Sequence, residues 1–143
     1  MMMHSTNRRR GGTLVEFSFV LLPLMSLIFG AIEMDRMFLV YTALDNAASA
    51  GVRYAAVNGY YSGGDCPAST GTTVTNIKKV VSTFAAMGIL DPTQVTTTVV
   101  YSPVNCNVGS TVTVSASYLY APLTQFFPLA ILMGTTAEGT IAY

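Results

Sequence analysis

The stretch Arg8-Arg9-Arg10-Gly11-Gly12-Thr13-Leu14-Val15-Glu16-Phe17, which runs on as apolar sequence to Ile32, decides the fold of this chain. As a helix rising 1.5 Å per residue, Thr13 to Ile32 reaches about 30 Å, the thickness of a bilayer's hydrocarbon core. Glu16 is the sole formal charge between those ends. An ionised carboxylate at membrane depth costs roughly 3 kcal/mol or more, so it calls for an interfacial position, a partner or a function. The three arginines just before the segment set its direction: by the positive-inside rule they stay cytoplasmic and everything after Ile32 is exported. The expected location is the inner membrane, crossed once, with the N-terminus cytoplasmic and the C-terminus periplasmic.

Composition agrees with a membrane or fibre environment. Of 143 residues, 51% are hydrophobic and only 10% charged, with no net charge and a mean hydropathy of +0.49. A soluble domain carries about a quarter charged residues. Only Lys78 and Lys79 are lysines, so the chain has no electrostatic footprint for nucleic acid, and none is expected as a partner. After the membrane helix enough chain remains for one small domain with a core.

The helix is expected to continue beyond the bilayer. Glu33 to Ala56 holds no proline and a single glycine, Gly51. Ala43, Ala47, Gly51 and Ala55 recur every fourth position as a stripe of small side chains, beside a bulkier face of Met37, Tyr41, Leu44 and Ala48. This stripe either packs on the chain's own globular part or bundles with other subunits. Within the membrane segment, Ser26 and Gly30 form a small-xxx-small pair that lets another helix approach closely. Pro23 is tolerated there, because membrane neighbours can re-satisfy the freed carbonyl. Asn58-Gly59 is expected to end the helix.

Downstream, Tyr60 to Gly71 reads as a loop holding Cys66. Thr72 to Met87 reads as a second helix, with Val74, Ile77, Val80, Val81 and Phe84 on one face. Gln94 to Tyr101 and Thr111 to Tyr120, rich in Val, Thr and Tyr, read as strands joined by a turn at Asn107-Val108-Gly109-Ser110. Pro122 to Met133 is apolar but too short to span a membrane, and is expected to be a loop with one helical turn that plugs the core. Thr135 to Tyr143 reads as a last strand. The expected fold is α+β: a long transmembrane-plus-amphipathic helix, then a small domain of one further helix and a roughly three-stranded antiparallel sheet. The expected segments are a leader at 1–11, a transmembrane helix at 12–32, its exported continuation at 33–57 and a head at 58–143.

Cys66 and Cys106 fall on the exported side, where an oxidising compartment makes a disulfide the default over free thiols. In the chain-entropy model, closing that loop of about 40 residues contributes roughly 3–4 kcal/mol. Neither cysteine has Cys or His at ligand spacing, so no metal is expected. Catalytic constellations are missing from the sequence. The only histidine is His4, in the leader, which removes Ser-His-Asp and Cys-His chemistry from the exported part. The exported acids Glu33, Asp35, Asp45, Asp65, Asp91 and Glu138 form no acid/base pair by pattern. Gly63-Gly64 is linker chemistry rather than a phosphate loop. Neither an enzyme nor a bound cofactor is expected.

Basic residues, a glycine, four further residues and then Glu-Phe entering an apolar helix resemble a class III signal of the type IV pilin kind. Asn46-Ala47-Ala48-Ser49-Ala50-Gly51-Val52-Arg53-Tyr54-Ala55 in turn resembles the Asn-Ala-Ala-Arg-x-Gly-Ala-Arg-Tyr-Ala stretch of TadE-like minor pseudopilins of tight adherence pili, with Ser49 departing where that family often has arginine. The resemblance implies cleavage by a prepilin peptidase after Gly11, or alternatively after Gly12. It implies that Glu16, beside Phe17, pairs with the N-terminal amine of a neighbouring subunit and sets register. It also implies partners among pilin or pseudopilin subunits and the pilus assembly machinery. Two rival readings remain at this stage: an uncleaved signal-anchored binding module of the periplasm or surface, and a pseudopilin of a secretion system.

Overall fold

The computed structural model describes residues 10–58, 72–88, 90–103, 107–122 and 130–142. Five elements follow in order: α1 (Arg10–Asn58), α2 (Thr72–Met87), β1 (Val95–Ser102), β2 (Thr111–Tyr120) and β3 (Ile131–Thr140). The chain divides into two compact units, Met1–Asp35 and Arg36–Tyr143. The architecture is α+β, as the sequence pattern implied.

In the first unit α1 runs unbroken through Pro23. Its apolar side chains point outward on every side, from Leu14 and Phe17 to Leu27 and Ile32. A helix apolar all round has no solvated face to offer water, so its natural solvent is lipid or other helices. The mean hydropathy of its most apolar window reaches 2.1, none of it buried by the chain itself. The Ser18 hydroxyl donates to the Leu14 carbonyl at 2.8 Å, so this polar group brings its own partner into an apolar setting.

The second unit is a two-layer sandwich of helices on a sheet. The strands lie in the order β1-β2-β3, all antiparallel, with Val99 opposite Val114 and Val114 opposite Ala137. Burial alternates along β2, where Val112, Val114 and Ala116 face inward. Thr113, Ser115 and Ser117 face outward, where the Ser115 and Thr136 hydroxyls meet at 3.1 Å. One face packs and the other is solvated, the usual state of an antiparallel sheet.

The C-terminal part of α1 supplies the centre of this core. Leu44, Ala47, Ala48 and Ala55 are buried together with Ile77 and Val81 of α2 and Val112, Val114 and Ile141 of the sheet. Burying each such Val, Leu or Ile contributes on the order of 1.5–3 kcal/mol. Gly51 fixes how closely these layers approach. A Cβ there would lie 2.6 Å from Val81 Cγ2, 3.4 Å from Val114 Cγ1 and 3.5 Å from Ile77 Cγ2. Three elements therefore converge on a position that only glycine fills without displacement. Gly88, just past α2, abuts Ala43 in the same way. Since Ala43 meets Gly88 while Gly51 meets Val81 and Ile77, α1 and α2 run antiparallel.

Turns close the sheet by local chemistry. Gly109 adopts φ 90°, the left-handed region open to glycine, and Ser110 N–H donates to the Asn107 carbonyl at 3.0 Å. Between α2 and β1, Asp91 accepts hydrogen bonds from the Thr93 N–H at 3.0 Å and the Thr93 hydroxyl at 2.6 Å. Those two bonds hold the Asp91 carboxyl below its ordinary value of 3.8.

Three expectations need correction or fall elsewhere. The last strand runs Ile131–Thr140, not Thr135 to Tyr143. Ile131, Leu132 and Met133 therefore form strand rather than a loop with a helical turn: they pair with Tyr120, Leu119 and Tyr118 of β2, Ile131 and Leu132 are exposed, and only Met133 packs against the core. The physical reason is ladder satisfaction, because β2 is as long as β3 and its backbone groups take partners along the whole length. Residues 123–129, the rest of the expected plug, lie outside the described residues, as do 1–9, Gly59, the expected loop at 60–71 and Tyr143. Cys66 and Cys106 lie outside them too.

Candidate functional site

The sequence places its candidate residues on α1, and the structure distributes them over two environments. Gly11 and Gly12 fall in the first turn of α1. Glycine costs a helix interior roughly 1 kcal/mol relative to alanine, so a glycine pair makes this the least firmly wound turn by its own chemistry. Nothing lies within 4 Å of a Cβ built on Gly12. Glu16 and Phe17, one turn further, are both exposed. Among the described residues Glu16 has no partner, and its carboxylate is available to a cation from outside the chain.

Ser26 and Gly30 are exposed on the apolar part of α1. A Cβ on Gly30 would meet nothing within 4 Å, so this chain's own packing makes no use of the glycine. Ala43, Ala47, Gly51 and Ala55 stand in contrast. All four are buried in the second unit, and the stripe is covered by the chain's own α2 and sheet rather than left open for another copy. Asp45, on the same part of the helix, accepts a hydrogen bond from the Thr135 hydroxyl of β3 at 2.9 Å.

A second face of α1 was legible in the spacing but not singled out from sequence. Asn46, Ser49, Ala50 and Arg53 recur at helical intervals of three and four. They line an open groove against α2, bordered there by Val80, Phe84 and Met87. The sequence signal was the pattern itself. What it lacked was the neighbour, since nothing local says that α2 returns alongside.

Among the described residues, no group of three or more His, Cys, Asp or Glu side chains gathers where a metal could be held. Tyr101 is an inward-facing titratable side chain of the sheet core. It is 5% exposed, its hydroxyl has no hydrogen-bond partner among the described residues, and burial raises its pKa above 10.0.

With this geometry in place, comparison with known families is decisive for the helix. Residues 11–53 match the family model described as TadE-like protein. Over that stretch the chain is similar to the TadE-like family. The match opens on Gly11, takes in Glu16 and Phe17, and runs through the apolar span to Arg53. It covers under a third of the chain and stops short of α2 and the sheet. The similarity is to a family associated with tight adherence pilus systems, and it is confined to the N-terminal helix. No curated protein matches the chain, and no solved structure does. α1, near the N-terminus, is long and apolar enough to cross a membrane once.

Proposed function

We propose that the protein is a minor pseudopilin-like subunit that takes part in assembling a tight adherence pilus as an initiation or tip component. The observation that carries the proposal is where the TadE-like match begins: on Gly11, directly after the arginines and five residues before Glu16. Cleavage by a prepilin peptidase after Gly11 makes Gly12 the new N-terminus and Glu16 the fifth residue of the mature chain. The N-terminal side stays cytoplasmic and the head is periplasmic, as the arginine cluster dictates. Unwinding the first turn to reach the scissile bond is cheap, because two of its residues are glycines.

Glu16 then serves as a registration group. Its exposed carboxylate is costly in a bilayer by itself, and so is a newly exposed N-terminal ammonium. Brought together between two subunits, each offsets the other's desolvation. Ser26 and Gly30, unused by intramolecular packing, provide a smooth patch at which a second membrane helix approaches. The size of the head supports a place at the tip or in initiation, since about 100 further residues would have to be accommodated in a filament at every subunit.

The test is the intact mass and N-terminal sequence of the membrane-extracted protein, from cells with and without prepilin peptidase. The expected result is a chain beginning at Gly12 only when the peptidase is present. A chain retaining Arg8 to Arg10 in both strains would overturn the proposal and leave a signal-anchored binding module. Processing together with unimpaired piliation in a deletion strain would instead place the protein in a secretion machine.

A further inference from the structure

We propose that the α1–α2 seam of the second unit is a docking groove for an acidic amphipathic helix of a partner chain. This goes beyond the processing and assembly reading and rests on the groove alone. The groove consists of two contiguous stretches of about 730 Å³ and about 310 Å³, which share Tyr54, Val80 and Phe84. Along α2 it extends from Asn76 to Gly88, about 18 Å at 1.5 Å per residue, the length of a three-turn helix.

Its chemistry is specific in two ways. Ala50 and its small neighbours on α1 make a low floor, while Phe84 and Met87 of α2 stand exposed as apolar walls, Met87 at 75%. A floor of small residues lets a third helix lie at close interaxial distance, and apolar walls give it anchors at i and i+4. Arg53 and Lys79 are the only charged residues of the lining. Both are exposed, and among the described residues neither has an ion-pair partner. Two unneutralised cations beside an apolar trough select a partner with a carboxylate set among apolar side chains, by charge complementarity. Polar groups do not converge there from several directions as they do in a small-molecule pocket, and the trough is open along its length. The core accounts for Ala47, Ala48, Gly51 and Val52 of the matched stretch. It does not account for Asn46, Ser49, Ala50 and Arg53, and the groove does.

The experiment uses the full chain in its own cells, with Met87→p-benzoylphenylalanine on the groove wall and Val100→p-benzoylphenylalanine on the outer sheet face as the control position. After irradiation the cross-linked peptide is sequenced by mass spectrometry. The expected product forms at position 87 and not at 100. Its peptide carries Asp or Glu within an apolar pattern of helical spacing. Arg53→Glu should lower the yield by about tenfold, the loss expected when a charge pair at an interface becomes a repulsion. Changing the mapped acid to Lys should restore the yield in the Arg53→Glu background. Arg53 is exposed and unpaired, so the thermal melt of Arg53→Glu should superimpose on that of the parent; a lowered melt would overturn the assignment of Arg53 to docking alone. A product that lacks a carboxylate, is a second copy of this chain, or is insensitive to Arg53→Glu overturns the proposal, as does equal cross-linking at 100. Each of these outcomes is independent of whether the leader is cleaved.

Discussion

The two halves of α1 share one helix and one composition of apolar residues, yet they use those residues in opposite ways. Before Asp35 the large side chains are exposed: Leu27 is 73% exposed, and a Cβ on Gly12 or Gly30 would meet nothing within 4 Å. After Arg36 the same kinds of residue are consumed by the chain's own fold. Leu44 is 0% exposed, and the space above Gly51 is filled from three elements. Apolarity alone therefore does not say what a helix is for. The deciding quantity is whether the chain itself supplies the surface that covers it, and over the first half it does not.

That contrast can be broken by substitution. The largest effect is expected at Leu44→Ala, which leaves a cavity at the centre of the head and should cost about 2–5 kcal/mol. Leu27→Ala should leave the head's stability unchanged. Chemical denaturation of the detergent-extracted chain, followed by near-ultraviolet circular dichroism of its tyrosines, measures both. Equal losses at the two positions would mean that the first half is also packed by the chain.

Gly51→Val tests close approach from the other direction. Its branched side chain would drive into Val81 and Val114, and overpacking of this kind costs about 1–3 kcal/mol. Gly30→Ala has room and should not shift the denaturation midpoint. Its effect should appear instead as weaker association of the membrane helices, read by in-membrane resonance energy transfer between labelled copies or with labelled pilin.

A smaller change is expected where α1 meets β3. Thr135→Val removes the hydrogen bond to Asp45 while keeping the shape, and should cost about 1 kcal/mol, because the exposed Asp45 carboxylate returns to water. The same denaturation midpoint measures it.

The smallest effect is a matter of pH. Burial favours the neutral phenol of Tyr101, so its folded pKa is raised above 10.0. The stability this group contributes is present below that value and lost as pH rises through the folded one. Tyr101→Phe should therefore match or slightly exceed the parent's stability at pH 7, because a buried hydroxyl without a partner is removed. It should also flatten the decline in midpoint between pH 9 and 11. A marked loss at pH 7 would show that the hydroxyl has a partner after all.

Much of this was readable before any coordinates. The bounds of α2 and β2 follow from period and composition: of the α2 face read from sequence, Val74, Ile77 and Val81 are buried, whereas Phe84 turns out exposed and Ala85 takes the buried position beside it, and Val112, Val114 and Ala116 at alternate positions make one buried face of β2. β3 was misplaced because its first residues are apolar and follow two prolines, which reads as a plug. Their exposure and pairing are set by β2, a strand distant in sequence from any local signal. The small-residue stripe was equally legible, but its occupant was not: the same four residues would suit a neighbouring subunit or the chain's own sheet.

By itself, then, the sequence determined a helix long and apolar enough to cross a membrane, the arginine cluster before it, the glycine-to-glutamate spacing, and the class of elements that follow. These are local quantities: length, charge position and periodicity act within a few turns of chain. Only the tertiary structure decided which face of α1 is consumed by the head, where β3 begins, and that Arg53 and Lys79 flank one groove. Those depend on which distant residues come to lie alongside, and that is fixed by the packing of the whole second unit.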